Sequence, residues 1–157
     1  MTGIRVRNVI ATVPHLRAAL AALRGANAPD AWIGAGCLRN AVWDIAHGRA
    51  PELPDDIDVA FFDPDDDGFA EQRLEAELRA RAPALPWQAR NQARMHRRHG
   101  HPPYQNTAAA VAHWVETATA VIARETAPQR YEIRAPHGLQ DLEVLILRPV
   151  ADDPRTR

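Results

Sequence analysis

The segment Asp56-Ile57-Asp58-Val59 constrains this chain more than any other. Residues two apart in a strand project from the same face. Asp56 and Asp58 therefore stand side by side, while Ile57, Val59 and Phe61 turn inward. Two carboxylates that close repel each other unless a cation or a proton intervenes. A hard divalent cation such as Mg²⁺, held by one or two carboxylates plus substrate phosphates, is the natural solution. Alone, the spacing fits a solvated strand start at least as well, because such pairs arise often by chance.

The preceding segment adds weight. Gly34-Ala35-Gly36-Cys37-Leu38-Arg39-Asn40 is a glycine turn feeding a helix. Glycines let backbone approach a phosphate, and a helix N-terminus favours anions. By itself this turn is an ordinary connection. A phosphate cradle followed by a paired-aspartate strand is a recognisable order of parts.

The remaining elements follow from periodicity and punctuation. Val9–Arg24 reads as one amphipathic helix, with Leu16, Leu20 and Leu23 at helical spacing. Ala31–Gly34 is short and apolar. Leu38–His47 reads as a helix with Leu38, Val42, Ile45 and Ala46 inward, ended by Gly48. Ile57–Phe62 is a strand, and Phe69–Arg81 is a helix with Phe69, Leu74 and Leu78 on its apolar side. A short strand near Trp87 precedes a helix carrying Arg90, Arg94, Arg97 and Arg98. Thr107–Glu116 is a helix capped by Asn106 or Thr107. Thr119–Ala123, Tyr131–Ala135 and Leu142–Leu147 read as strands. The pattern predicts an α+β fold with a mixed or antiparallel sheet of about four or five strands flanked by helices.

The 157 residues suit one domain, expected over 1–150, with a polar tail over 151–157. A formal net charge of −1 gives no global basic surplus for nucleic acid. Every basic residue is arginine, so phosphate contacts fall to Arg, His or backbone N–H groups. Cys37 is the single cysteine, which excludes an internal disulfide. The start lacks a signal-peptide pattern and no apolar run is long enough to span a membrane, so the cytoplasm is the expected setting.

The order of glycine turn, helix and Asp-x-Asp strand resembles that of DNA polymerase beta-type nucleotidyltransferases. Gly34–Asn40 is similar to the glycine-rich entry motif of CCA-adding enzymes, which ends in Arg-Asp where this chain has Arg39-Asn40. Small bacterial nucleotidyltransferase-family proteins share much of Trp32–Asp63, the Asn91–His96 run, Pro103-Tyr104, Trp114–Val121 and the stretch from Gly138 to Pro149. The resemblance implies the polymerase-beta-type fold. It implies Asp56 and Asp58 as the metal-binding pair, and Gly34 and Gly36 as the turn facing a triphosphate. Arg39 is then a phosphate or nucleotide contact, and Cys37 stands where the superfamily turn often has Ser. The superfamily's third carboxylate, on a neighbouring strand, is matched by Asp141, with Glu132 and Glu143 as competitors.

The implied chemistry is Mg²⁺- or Mn²⁺-dependent transfer of a nucleotidyl group from a nucleoside triphosphate (NTP) to a hydroxyl. The acceptor is expected to be a small molecule or a protein rather than a long nucleic acid. The alternative is a nucleotide-binding or partner-dependent regulatory module of the same fold.

Other signals carry less. Arg90, Arg94, Arg97 and Arg98 read either as a phosphate grip, with Arg94 the named contact, or as a face paired with the acidic Asp63–Asp67 run. His96, His99 and His101 match no standard zinc spacing. Asp63–Gly68 imitates the start of a calcium loop, but Leu74 occupies the position of the bidentate Glu. Tyr104 is a candidate for base stacking or a loop anchor.

Overall fold

The structure, a computed structural model, describes residues 4–114 and 119–143. Two helices open it, α1 (Ile4–Thr12) and α2 (Pro14–Ala26), where a single helix over Val9–Arg24 was expected. Pro14 is the reason. A proline ring pushes the preceding residue out of the helical region, and its missing N–H costs nothing in a first turn. Val13 is extended, with φ −76° and ψ 117°, and Pro14 opens α2.

There follow β1 (Trp32–Gly34), α3 (Gly36–Ala46), β2 (Ile57–Phe61), α4 (Ala70–Arg81) and β3 (Trp87–Asn91). A 3₁₀ turn, Gln92–Arg94, leads to two short helices, α5 (Met95–His99) and α6 (Thr107–Val111). The hairpin β4 (Ile122–Ala127) and β5 (Arg130–Arg134) precedes a last short helix, α7 (Gln140–Glu143). The strands form one five-stranded sheet in the order β3-β2-β1-β4-β5. β1 is antiparallel to β2 and β4, β4 is antiparallel to β5, and β2 is parallel to β3. A parallel pair needs a crossover, which α4 supplies. The fold is thus the expected α+β arrangement around a mixed sheet.

Strand alternation assigns the two faces. Ile33, Ile57, Val59, Phe61, Ala89 and Ala123 join the main core with the inner sides of α1 to α4. The opposite face carries Asp58, Ala60, Gly34, Gln88 and Arg90. It is partly covered by a second, smaller cluster of Trp32, Val111, Ala120 and Ile122, against which Trp114 packs. Asp30 fastens α6 onto this face. Its carboxylate accepts from Thr107 N at 2.8 Å and from Trp32 Nε1 at 2.9 Å, and its carbonyl accepts from Thr107 Oγ1 at 2.7 Å. Asn106 caps α6 by accepting from Ala109 N.

Several local expectations need correction. Leu38 and Val42 are buried, but Ile45 and Ala46 lie exposed at the end of α3, and Phe69 is exposed just before α4. β4 begins at Ile122 rather than Thr119 and runs to Ala127, because it pairs with β1 on one side and β5 on the other. The helix expected over Thr107–Glu116 ends at Val111 and turns through Trp114, with 115–116 outside the described residues. Leu142 lies on helix α7, not at a strand start, and 144–147 lie outside the described residues.

The edge of β3 is closed by side chains. Ala89 N donates to Glu75 Oε1 at 2.8 Å and Asn91 N donates to Glu71 Oε1 at 2.9 Å, both carboxylates coming from α4. Unpaired strand edges invite association with other strands, and here two acids four residues apart on a helix satisfy them.

Candidate functional site

The antiparallel register of β1 and β2 sets Gly34 directly across from Asp58, and the parallel register of β2 and β3 sets Gln88 on its other side. Two segments far apart in sequence, the glycine turn and the aspartate strand, are thereby neighbours on the sheet. A Cβ at Gly34 would lie 2.8 Å from Ile122 Cγ2 and 3.1 Å from Trp114 Cη2. Glycine is required there by packing against β4 and Trp114. Between the glycines, Ala35 adopts φ 60° and ψ −140°, a region that residues with a Cβ rarely occupy. The strained residue sits where the turn hands over to α3, whose N-terminal N–H groups and dipole attract anions. The Arg39 guanidinium lies beside Gly36, its Nη2 3.6 Å from where a Cβ would stand, an ordinary contact distance. Arg39 also lies over the Trp43 ring, 5.5 Å from its centroid.

Asp58 projects from the sheet face beside Asp56. Burial first, then the Asp56 charge, push its carboxyl up to about 6, against a smaller downward pull from Arg90. With its amide oriented to satisfy both neighbours, Gln88 donates to Asp58 Oδ1 at 3.0 Å and accepts from Arg90 Nη2 at 3.0 Å. Asp56 and Asp58 offer the hard oxygen donors that suit a divalent cation, and a cation would relieve the Asp56–Asp58 repulsion that adds to the effect of burial. Among the described residues no third His, Cys, Asp or Glu completes a metal-binding group with them.

The other expected residues are placed as follows. The Cys37 side chain turns into the core, donating to Gly34 O at 3.1 Å, and burial followed by the Asp58 charge pushes its thiol up to about 12. Asp141 lies on α7, a helix held to α3 by Trp43 Nε1 donating to Leu142 O at 3.1 Å, rather than on a strand beside Asp58. Its competitor Glu132 is engaged by Arg124 and Arg134 on the β4–β5 hairpin, and the Glu143 side chain lies outside the described residues.

The arginine series does not share one helix face, because Arg90 belongs to β3. Arg94 donates to the Asp66 carbonyl and so braces the acidic turn. That turn is structural. Asp66 Oδ1 accepts from Gly68 N and Ala70 N, and Asp67 Oδ1 accepts from Phe69 N, satisfying N–H groups at the start of α4. A hydrogen bond from Asn91 holds the Asp66 carboxyl below its ordinary range. Tyr104 is a buried anchor, its hydroxyl 2.6 Å from His101 Nδ1 and its ring stacked on His113 at 5.2 Å.

Residues that the sequence did not bring together complete the site. A cavity of about 260 Å³ opens beside Asp58, lined by Ala35, Ala60, Arg90, Met95, His99 and Trp114 among others. Strand alternation from Trp87 to Asn91 would have placed Gln88 and Arg90 on this face. Trp114 carried no such signal, since its position depends on how α6 folds back over the sheet.

A mixed sheet that presses a glycine turn against a paired-aspartate strand defines the class of polymerase-beta-like nucleotidyltransferases. A family model described as nucleotidyltransferase matches residues 21–156, and the chain belongs to that family. It is similar to a protein whose NMR structure is described as revealing a CCA-adding enzyme head domain. The two share 29% identity with a TM-score of 0.81, over 96% of this chain and 82% of that one. No curated protein matches the chain.

Proposed function

We propose that this protein transfers a nucleotidyl group from a nucleoside triphosphate to a hydroxyl of a small-molecule or protein acceptor, with Mg²⁺ or Mn²⁺, in the cytoplasm. The observation that carries the reading is the desolvated Asp58 carboxylate, beside Asp56 and across from the strained Gly34-Ala35-Gly36 turn. Asp56 and Asp58 hold the cation. Backbone N–H groups at Gly36 and Cys37 and the Arg39 guanidinium take the phosphates, a charge-assisted arrangement favoured at a helix N-terminus. A cation held by Asp56 and Asp58 would neutralise charge on the phosphates and ease loss of the acceptor proton. In the transfer the acceptor hydroxyl gives up its proton to water, its oxygen bonds to the α-phosphorus, the α–β anhydride bond breaks, and pyrophosphate leaves. Gln88, anchored by Arg90, orients the Asp58 carboxylate for this work.

Among the described residues the metal-ligand set ends at two aspartates, and this favours a second reading, a module that binds nucleotide without transferring it. One experiment separates the two. Each α-³²P-labelled triphosphate is incubated with the protein, Mg²⁺ or Mn²⁺, and fractionated cell extract. Transfer of label to an acceptor, reduced about 100-fold or more in Asp58→Asn, supports the enzyme. Nucleotide binding with no labelled product in any fraction supports the binding module.

A further inference from the structure

We propose that the cavity beside Asp58 is the subsite for the base of the nucleotide, a planar nitrogen heterocycle; this rests on the nucleotidyltransferase reading above. The cavity is continuous with the phosphate turn, because Ala35 and Asp58 both line it. A ring held there is joined through its sugar to phosphates lying at Gly36 and Arg39. Pockets that enclose a whole small molecule run to about 300–1,000 Å³. At about 260 Å³ this one suits part of a nucleotide, with the phosphates outside it.

The walls have the right chemistry for a ring. Ala60, Met95 and Trp114 supply apolar surface, and Arg90 and His99 supply polar edges. The walls are also fixed before any ligand arrives. The Trp114 indole donates from Nε1 to Gln92 Oε1 at 3.4 Å, and its far end reaches over Gly34. Gln92 is committed at its other end, donating from Nε2 to Arg90 O at 3.3 Å. Gln88 is committed at both ends of its amide. Side chains already immobilised lose little freedom on binding, so a ring entering this space retains most of its contact energy. Stacking on an aromatic side chain tolerates any base, while the Arg90 and His99 edges discriminate among them.

The test compares Mn²⁺ complexes of ATP, GTP, CTP and UTP with the Mn²⁺ complex of inorganic tripolyphosphate, by titration calorimetry on the full chain. The expected result is that at least one nucleoside triphosphate binds roughly tenfold or more tightly than tripolyphosphate. Trp114→Ala removes that advantage and leaves tripolyphosphate affinity as it was. Because Trp114 also packs against the smaller core cluster, Ala60→Leu serves as a second variant that fills the cavity with the indole in place. It too abolishes the advantage. Equal affinity of wild type for nucleotides and tripolyphosphate overturns the base subsite and leaves the nucleotidyltransferase reading standing. So does an advantage that survives in a folded variant of either kind. Binding of neither probe overturns both.

Discussion

Asp58 holds its charge where burial and Asp56 both oppose it, and stability should record that opposition. Its carboxyl, at about 6 in the folded chain against an ordinary 3.8, binds its proton more tightly folded than unfolded. The sign follows from linkage. Stability contributed by the protonated form is present below the ordinary value, falls as pH rises through the interval to about 6, and is flat above it. Asp58→Asn removes this dependence. The variant should be more stable than wild type at pH 7 by about 1–2 kcal/mol, once partial exposure is allowed for, and the difference should vanish near pH 4. Urea unfolding at the two pH values measures it. Equal stability at pH 7 would show that the carboxylate is better solvated than its surroundings imply. Ala35 stores a second local cost. Its backbone conformation is one that glycine adopts freely, so Ala35→Gly should stabilise the fold by up to about 2 kcal/mol. An unchanged or lowered melting temperature would contradict the strain.

At the scale of elements, helix α4 does more than cover the sheet. Its Glu residues lie off the apolar side formed by Leu74 and Leu78, yet Glu71 and Glu75 turn to the β3 edge and accept its outward N–H groups. Helical periodicity reveals that two acids share a face, but not that a strand edge lies alongside that face. Glu75→Ala should leave Ala89 N without its acceptor and destabilise the fold by about 1.5–3 kcal/mol, the range for a hydrogen bond to a charged group. Glu77→Ala loses only an exposed pair with Arg81 and should change stability by less than about 0.5 kcal/mol. Equal effects of the two substitutions in denaturant titrations would show that the edge is not held in this way. The break at Pro14 was legible, because proline disfavours helix before it; the periodicity of the flanking leucines masked it.

For the molecule as a whole, the fold class and the central pair of motifs were legible in sequence. The alternation in Ile57–Phe61 and the glycine turn before α3 are local signals, and both elements formed where those signals lay. What was not legible depended on long-range arrangement. The Cys37 thiol faces the core, Asp141 rides on α7, and Trp114 returns over Gly34, whereas Arg94 pairs with the acidic turn as one of the two sequence readings had it. None of the first three placements follows from neighbours in the chain. The glycine turn, the two aspartates and the adjoining cavity share one face of the sheet, the face to which we assign a metal-bound nucleotide.

The most direct test of that claim is thermal unfolding of wild type and of the Asp56→Asn/Asp58→Asn variant, with each triphosphate in the presence of Mg²⁺ or Mn²⁺. A ligand at about 100 times its dissociation constant adds roughly 2.7 kcal/mol to the folded state. The account predicts a metal-dependent rise in the melting temperature of wild type with at least one triphosphate, and its loss in the variant. No rise with any triphosphate, or an equal rise in the variant, would contradict it.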